Sequence, residues 1–476
     1  MTTVDVSADT SLPQTDGATT TGAPEAFVRG ERGEKGPALG AKMSTLARDS
    51  VKTVIGASMV GTAIEFYDFY AYGTASANYF PKIFFPEANP TVGLLASLLT
   101  FAIAFIARPL GSLLFGHFGD RMGRKTTLVV SLLLMGCATV LIGCLPTYGT
   151  WGLLSVVLLC ACRFVQGIGL GGEWSGAALV ATENAPADRR ALYGSFPELG
   201  APIGFFLSNG TFFLLEMFCT PQQMLSWGWR VPFLLSAVLV VIGLTIRVHM
   251  EETPIFRMAL EQQKVVKAPL AEVFRTSWKQ VLQATFLVAV TYTLFYTLAT
   301  WSLAFGTKAK GQGGGGLGFT TQEYLLMLMV SIVVFAVFIV LSCVYADRLG
   351  RRRVLVASSV ALVVFSLVFP YLLMGYRNFF QVMVFLCVGF ALMGVAFGPI
   401  GAMLPELFPT NVRYSGAGIG YNLAAIVGAA FVPTIATWLS SHWGVRSVGL
   451  YLAFMALCCL VAVLSCHETK DIDFSR

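Results

Sequence analysis

Long apolar runs separated by short polar segments dominate the chain from about residue 53 onward. About 20 apolar residues span the hydrocarbon core of a bilayer as a helix, and about twelve runs here are long enough. They lie at roughly 53–80, 93–117, 127–146, 150–182, 191–215, 229–249, 279–305, 322–345, 354–375, 380–404, 415–440 and 446–466. The pattern predicts an all-α membrane protein with twelve transmembrane helices.

Composition supports this prediction, because only 12% of the 476 residues are charged and 55% are hydrophobic. Soluble globular proteins carry about 25% charged residues. Residues 1–50 differ from the rest: they are rich in Thr, Ala, Gly, Asp and Pro, which predicts a disordered tail. This tail lacks the apolar region of a signal peptide, so the first span must direct its own insertion.

The basic residues indicate the orientation. Most of the 32 Lys and Arg residues fall in the N-terminal tail, in the loops after even-numbered spans and at the C-terminus. Basic loops stay in the cytoplasm, so both termini should be cytoplasmic and the protein should lie in the cell membrane. The net charge of +6 is thus explained by topology and does not indicate a nucleic-acid partner.

The two halves of the chain repeat the same charged loop. GDRMGRK at 119–125 follows the second span, and ADRLGRRR at 346–353 follows the eighth. A second repeat places an arginine seven residues after a glutamate, at Glu183 and Arg190 and at Glu406 and Arg413. A repeat of matching orientation predicts two six-helix bundles, at 51–249 and 279–467, joined by a polar cytoplasmic linker at 250–278 and followed by a short tail at 468–476.

The repeated loop resembles the signature of the major facilitator superfamily. Further motifs resemble its metabolite:proton symporter branch, which includes permeases for proline and betaine, 2-oxoglutarate, shikimate and citrate. They are EFYDF at 65–69, RPLG at 108–111, RFVQG at 163–167 running into GGEW at 171–174, GWRVPF at 228–233 and PELFPT at 405–410. The resemblance covers roughly residues 53–470 and implies the major facilitator fold and proton-coupled transport, without indicating the substrate.

The charged loops are candidate gates. Gly123 and Gly350 let the backbone reverse, and Asp120 and Asp347 can accept bonds from arginines or cap the following helix. Such a cluster can close one face of a transporter and release it in the other state; topology and helix capping alone are the simpler alternative. The gating residues would be Asp120, Arg121, Arg124, Asp347, Arg348 and Arg351.

Residues 167–172 (GIGLGG) match the spacing of a dinucleotide-binding loop. That loop needs a preceding strand, whereas this segment lies inside an apolar span. We therefore interpret it as close helix packing through small residues.

Six ionisable residues lie well inside apolar spans, all in the first half: Glu65, Asp68, Arg108, Arg163, Glu173 and Glu198. Each charge costs roughly 2.5–3.5 kcal/mol at the bilayer centre. Six uncompensated charges would cost on the order of 15–20 kcal/mol, more than the stability of a typical protein. These side chains must therefore pair, bind a proton or face a water-filled cavity.

Glu65 and Asp68 share one helix face, since they are three residues apart. Burial disfavours the charged form of a carboxylic acid, so such a group can take up and release a proton as a cavity opens and closes. We expect Asp68 to carry the proton with Glu65 beside it. We expect Arg163 and Arg108 to bind substrate or its competing acid. Static ion pairing is the alternative, and for Glu173 and Glu198 structural support is the favoured interpretation.

The second half offers aromatic and amide side chains instead of charges. Tyr292 and Tyr296 share a face of the seventh span, Tyr421 and Asn422 lie in the eleventh, and Tyr72 continues the stripe of Glu65 and Asp68. They could form the wall of a small-solute site and would suit a quaternary ammonium group. Ordinary packing or lipid contact is the alternative.

The function we predict is secondary active transport, not enzyme activity. A monomer in the lipid bilayer would move protons together with a small organic acid or zwitterion. Uptake of a compatible solute such as proline or betaine is the alternative, and drug efflux or a membrane sensor is less favoured. No cofactor or metal is expected, because the four histidines are scattered at span ends and the ten cysteines suit small buried positions.

Overall fold

The computed structural model describes residues 37–122, 124–171, 181–182, 185–249, 269–310, 316–375, 378–409 and 412–472. Gly123, Glu173, Glu183 and the side chains of Asp120, Arg121 and Arg124 lie outside this description, so their predicted roles stay predictions.

In the described part of the chain, every long regular element is a helix. In chain order the helices are α1 (Pro37–Asn78), α2 (Phe80–Phe84), α3 (Pro90–Met122), α4 (Arg124–Cys144), α5 (Tyr148–Trp151), α6 (Leu153–Leu170), α7 (Arg190–Glu198), α8 (Gly200–Phe218), α9 (Pro221–Ser226), α10 (Val231–His249), α11 (Pro269–Thr276), α12 (Trp278–Tyr296), α13 (Ser302–Thr307), α14 (Thr321–Leu349), α15 (Arg351–Met374), α16 (Phe379–Phe397), α17 (Ile400–Glu406), α18 (Arg413–Ala425), α19 (Val432–Trp443) and α20 (Val445–Ser465).

Twelve crossings account for these helices. Ten stretches of the described residues are long and apolar enough to cross a membrane, and α4 contributes a shorter apolar stretch, Val129–Cys144. The twelfth crossing is α1, which carries the two carboxylates of the EFYDF motif. Four crossings combine two helices each: α7 with α8, α12 with α13, α16 with α17, and α18 with α19.

The helices pack as two groups. In the first, α6 packs against α3 and α4, and α4 packs against α10. In the second, α16 packs against α14, α15 against α20, and α12 against α18 and α20. Between the groups, α8 packs on α14 and α7 on both α14 and α17. The twelve-helix, two-bundle prediction is confirmed.

Two of the membrane-crossing segments are interrupted near a proline. Pro197 lies one turn from the junction of α7 and α8, and Pro399 precedes α17; proline lacks the N–H that would continue a helix. Two other crossings contain π-helical segments, Thr297–Trp301 and Ile426–Ala430. Such segments occur frequently at functional sites, and these two follow the tyrosines and the asparagine that we predicted to line a site.

The start of the first helix and the polar linker can both be compared with the prediction. We expected disorder up to residue 50, but α1 begins at Pro37, since 38–48 (ALGAKMSTLAR) contains mostly good helix formers. In the polar linker, α11 lies with Val273 buried and Phe274 exposed, as expected for an amphipathic surface helix. Residues 1–36 and 250–268 lie outside the description.

The glycine-rich 167–172 segment packs closely, as predicted. A Cβ atom on Gly167 would lie 2.2 Å from the carbonyl oxygen of Ala104, and one on Gly171 would lie 2.2 Å from that of Arg108. Since both neighbours are backbone atoms of α3, they cannot move aside alone. These glycines therefore set the approach of α6 to α3 and bring their polar side chains together.

Candidate substrate and proton site

A chain of hydrogen bonds links Asp68 to Arg163 through two neutral side chains. Asp68 of α1 is fully buried. Thr139 of α4 donates a hydrogen bond of 2.8 Å from Oγ1 to Asp68 Oδ2, and Gln166 of α6 donates one of 2.8 Å from Nε2 to Thr139 Oγ1. Arg163 Nη1 in turn donates to Gln166 Oε1. The acid and the arginine that we predicted to compete are therefore coupled, with Thr139 and Gln166 between them.

One carboxylate oxygen of Asp68 is available to bind a proton. Its second oxygen, Oδ1, has no hydrogen-bond partner among the described residues, although Ser236 of α10 lies close to the carboxylate. Glu65 is also buried and interacts electrostatically with both Asp68 and Arg108. The pair thus lies together as the three-residue spacing predicts.

Arg163 is fully buried among aromatic rings. Its guanidinium carbon lies 3.8 Å from the centre of the Tyr72 ring and 4.9 Å from that of Phe69. Nη2 donates to the carbonyl oxygen of Phe101 at 3.2 Å, whereas Nε has no partner among the described residues. Cations above aromatic faces are stabilised by the ring quadrupole, which helps to keep this charge buried.

Arg108 approaches the same Phe69 ring from a second direction. Its guanidinium carbon lies 4.9 Å from the Phe69 centre and 5.1 Å from that of Phe105. Nη1 is 3.5 Å from the hydroxyl oxygen of Tyr292, a contact between the two bundles. Its Nε also lacks a partner in the described part of the chain. Two buried arginines therefore share one aromatic ring and each retain an unused N–H.

The predicted tyrosines of the second bundle form one group beside Arg108. Tyr292 and Tyr296 stack with their ring centres 6.3 Å apart, and Tyr421 lies 5.5 Å from Tyr292. Tyr296 also packs on Phe101 of the first bundle, at 5.1 Å. Tyr72 bonds to Thr100 at 2.6 Å on the other side of the site. The structure brings these predicted residues together; their role in binding substrate stays a prediction.

Asn422 lies at a different point of the bundle interface. Its Nδ2 donates to Ser112 Oγ at 2.7 Å and to the carbonyl oxygen of Gly171 at 3.3 Å. Both acceptors belong to the first bundle. Asn422 therefore joins the two bundles, and its predicted role in binding substrate stays a prediction.

Glu198 is a buried carboxylate at the end of α7. Neither of its oxygens has a hydrogen-bond partner among the described residues. It therefore holds no described residue by a hydrogen bond, and its predicted role as structural support stays a prediction.

The charged loop of the second bundle contacts the first bundle. Asp347 accepts hydrogen bonds from the backbone N–H groups of Ala191 (2.9 Å) and Leu192 (3.0 Å) in the first turn of α7. Arg351 lies 3.3 Å from Asp347 and 3.3 Å from Glu406, while Arg348 is exposed. This contact joins the two bundles at the charged loop, and the gating role of these residues stays a prediction.

Asp347 takes the first of its two predicted roles, because it lies 3.3 Å from an arginine, Arg351. The helix N-terminus that it caps is that of α7 in the other bundle, not that of the helix that follows it. Glu468 takes the expected place, accepting from the N–H groups of Arg351 (2.8 Å) and Arg352 (3.2 Å). Gly350, with φ of 99°, makes the reversal that we predicted. No pattern near Glu468 indicated this contact, because it lies more than a hundred residues from its partners.

Relatives of known families confirm the class of protein. Residues 53–476 match the sequence model described as "Sugar (and other) transporter". The chain is 52% identical over 422 residues to the inner membrane metabolite transport protein YhjE of Escherichia coli K12, covering 89% of this chain and 95% of that protein. It is 35% identical to the shikimate transporter of Escherichia coli K12 (90% and 96% covered) and 31% identical to the proline/betaine transporter of Salmonella typhimurium (88% and 84% covered).

Solved structures agree on the fold. The crystal structure of a D-xylose-proton symporter superposes with a TM-score of 0.69 at 17% identity, covering 88% of this chain and 98% of that one. A sequence identity of 17% supports only a shared fold. The family model and the more similar sequence relatives show that the protein is a transporter. The chain therefore belongs to the sugar (and other) transporter family of the major facilitator superfamily, as a multi-pass membrane transporter.

Proposed function

We propose that this transporter is a proton-coupled symporter that moves a small organic acid or zwitterion across the cytoplasmic membrane. Asp68 is the proton carrier, and Arg163 and Arg108 bind the carboxylate group of the substrate. The observation that carries this proposal is the hydrogen-bonded chain from Asp68 through Thr139 and Gln166 to Arg163. It gives the proton site a direct physical connection to the substrate site.

Thr139 supplies the switch in this mechanism. Its hydroxyl has one proton but two acceptors within reach, Asp68 Oδ2 at 2.8 Å and the carbonyl oxygen of Met135 at 3.0 Å. An ionised Asp68 attracts that proton strongly, because hydrogen bonds to charged groups are the stronger ones. When Asp68 is protonated, the hydroxyl turns toward Met135. Gln166 and Arg163 then rearrange, so that protonation changes how Arg163 is held.

The substrate carboxylate would bind to the unused N–H groups. Arg163 and Arg108 each have an unpartnered Nε, and a guanidinium can hold a carboxylate through two parallel hydrogen bonds. Shikimate, proline and betaine, named for the relatives, all carry a carboxylate group. The solved neighbour is named as a proton symporter, which supports the coupling ion.

Alternating access follows from the contacts between bundles. The Asp347 contact with α7 closes the face that carries the basic loops, which we place in the cytoplasm together with both termini. At the opposite end, Thr307 Oγ1 donates to Asn78 Oδ1 at 3.3 Å and joins the bundles there. With both ends in contact, the structure corresponds to an occluded state between the outward- and inward-open forms.

Proton movement in vesicles tests the proposal. Purified protein in lipid vesicles is given shikimate, citrate, 2-oxoglutarate, proline or glycine betaine, and the external pH is recorded. We expect one solute to cause external alkalinisation, and Asp68→Asn to abolish it while solute exchange across the membrane continues. Asp188→Asn is the matched control, because Asp188 is an exposed acid paired only with its neighbour Arg189. Solute accumulation without proton flux would contradict symport, and unchanged flux in Asp68→Asn would exclude Asp68 as the carrier.

A further inference from the structure

The unpartnered carboxylate of Glu198 lies between the two bundles. Glu198 ends α7 of the first bundle, and a Cβ atom on Gly401 of α17, in the second, would lie 3.3 Å from its Oε1. Cys343 of α14 interacts electrostatically with it. Only 1% of Glu198 is exposed, and both oxygens lack a partner among the described residues. An ionised carboxylate in this condition is costly, so Glu198 either binds a proton or meets a positively charged group at some stage of transport.

Three tyrosines, Tyr70, Tyr292 and Tyr421, are near enough to interact electrostatically with both Glu198 and Arg108. All three are buried, and the ring centres of Tyr292 and Tyr421 are 5.5 Å apart. Among the described residues, Arg108 Nε and both oxygens of Glu198 have no hydrogen-bond partner. A cation and an acidic group therefore share the same aromatic neighbours.

The charges suit one class of ligand better than the others. A simple carboxylic acid would satisfy Arg108 but leave Glu198 without a partner. A ligand with a carboxylate at one end and a positive nitrogen at the other would satisfy both. Aromatic faces also attract ammonium and quaternary ammonium groups. The tyrosines thus add to the preference for a positive nitrogen beside Glu198.

We propose that Glu198 binds the positively charged nitrogen of a zwitterionic substrate whose carboxylate lies toward Arg108. The substrate class is then a small amino acid or quaternary ammonium acid. This inference rests on the proposed function for the part played by Arg108, but it does not depend on proton coupling.

Pairs of ligands of equal shape test this directly. Glycine betaine and 3,3-dimethylbutanoate differ by one atom, nitrogen or carbon, and hence by one positive charge; proline and cyclopentanecarboxylate form a second pair. Binding of each is measured on the purified protein by calorimetry at one fixed pH, so that a failure of proton coupling would not affect the result. We expect at least one zwitterion to bind about tenfold or more tightly than its isostere without the positive nitrogen, which corresponds to about 1.4 kcal/mol.

Glu198→Gln should remove this preference and leave binding of the isostere without the positive nitrogen unchanged. Arg108→Gln should weaken binding of both members of a pair. Glu323→Gln is the matched control, since Glu323 is an exposed member of a helix-capping pair in which glutamine serves equally well. To show that Glu198→Gln folds, the variant should elute from size-exclusion chromatography as a single species and unfold at the same temperature as the wild-type protein.

Three results would overturn the proposal. They are a wild-type protein that binds neither zwitterion at millimolar concentration, a preference that survives in Glu198→Gln, and a Glu198→Gln variant whose only defect is altered proton movement in vesicles. The last result would make Glu198 a second proton site. Loss of proton flux in Asp68→Asn with the ligand preference intact would confirm both assignments separately.

Discussion

Thr139 donates a hydrogen bond of 2.8 Å to Asp68, and both side chains are fully buried. Thr139 also accepts from Gln166, so it occupies the centre of the link between the proton site and Arg163. A hydroxyl can serve both as donor and acceptor, which neither an alkyl nor an amide side chain of similar size does at a single atom. The position therefore needs a hydroxyl.

Thr139→Val tests that requirement, because valine has almost the same shape and no hydroxyl. Hydrogen bonds to charged groups contribute about 1.5–3 kcal/mol, so we expect proton-driven uptake to fall roughly tenfold or more. Substrate binding, measured by calorimetry, should change little. Thr139→Ser keeps the hydroxyl and should retain most uptake. Equal uptake by the valine and serine variants would show that the link from Asp68 to Arg163 plays no part in coupling.

The Asp347 contact with α7 predicts a gating phenotype. Asparagine at this position has one acceptor oxygen in place of two, and its NH₂ group would face a backbone N–H of Ala191 or Leu192. We expect Asp347→Asn to favour the form in which this face is open. Uptake should fall several-fold while the affinity for substrate stays nearly constant.

Accessibility to a thiol reagent measures the gate directly. A cysteine placed at Gly194 would lie against the Gly401 backbone in the closed form and react slowly. In combination with Asp347→Asn it should react faster, whereas the exposed Asp188→Asn change should have no effect. Lost affinity with an unchanged transport rate would instead place Asp347 in substrate binding.

The course of the membrane helices could be predicted from sequence, because hydrophobic length is a local property. The predicted eighth span, 322–345, corresponds to α14 at Thr321–Leu349, and the twelfth, 446–466, to α20 at Val445–Ser465. The start of α1 was missed, because residues 37–50 contain no long apolar run, although their helix propensity is good.

The site was predictable in part for a related physical reason. Polar and charged side chains are costly inside a membrane span, so they stand out in the sequence of an apolar segment. Arg108 and Tyr292 could therefore be predicted as site residues, and the structure places them in contact. Thr139 carries no such signal, since threonine is common in membrane helices, and its partner Asp68 lies 71 residues away. Gln166 had a local signal, three residues from Arg163 on the same helix face, that could have identified it.

Glu468 predicts a stability effect distinct from the gate. Its carboxylate accepts from the first two N–H groups of α15, which have no partner within that helix. Glu468→Gln removes one acceptor oxygen and the favourable charge at the helix N-terminus, at a cost of about 1 kcal/mol. We expect a Tm lower by on the order of 1–2 °C in detergent. Asp471→Asn, an exposed change in the same tail, should leave Tm unchanged; an equal decrease in both variants would point to tail charge in general.

Gly167 predicts a strict packing requirement in the first bundle. A methyl group there would lie 2.2 Å from the carbonyl oxygen of Ala104, so Gly167→Ala must push α6 away from α3. That movement separates Arg163 and Gln166 from Thr139 and Phe101 and leaves buried polar groups without partners, at about 1–3 kcal/mol each. We expect Gly167→Ala to reduce the yield of folded protein and to abolish uptake by what remains. Gly56→Ala is the control, since no atom lies within 4 Å of a Cβ there and alanine favours a helix. Normal yield and uptake in Gly167→Ala would show that α3 and α6 can separate without loss of the site, and that the close approach of these helices is not what holds Arg163 in place.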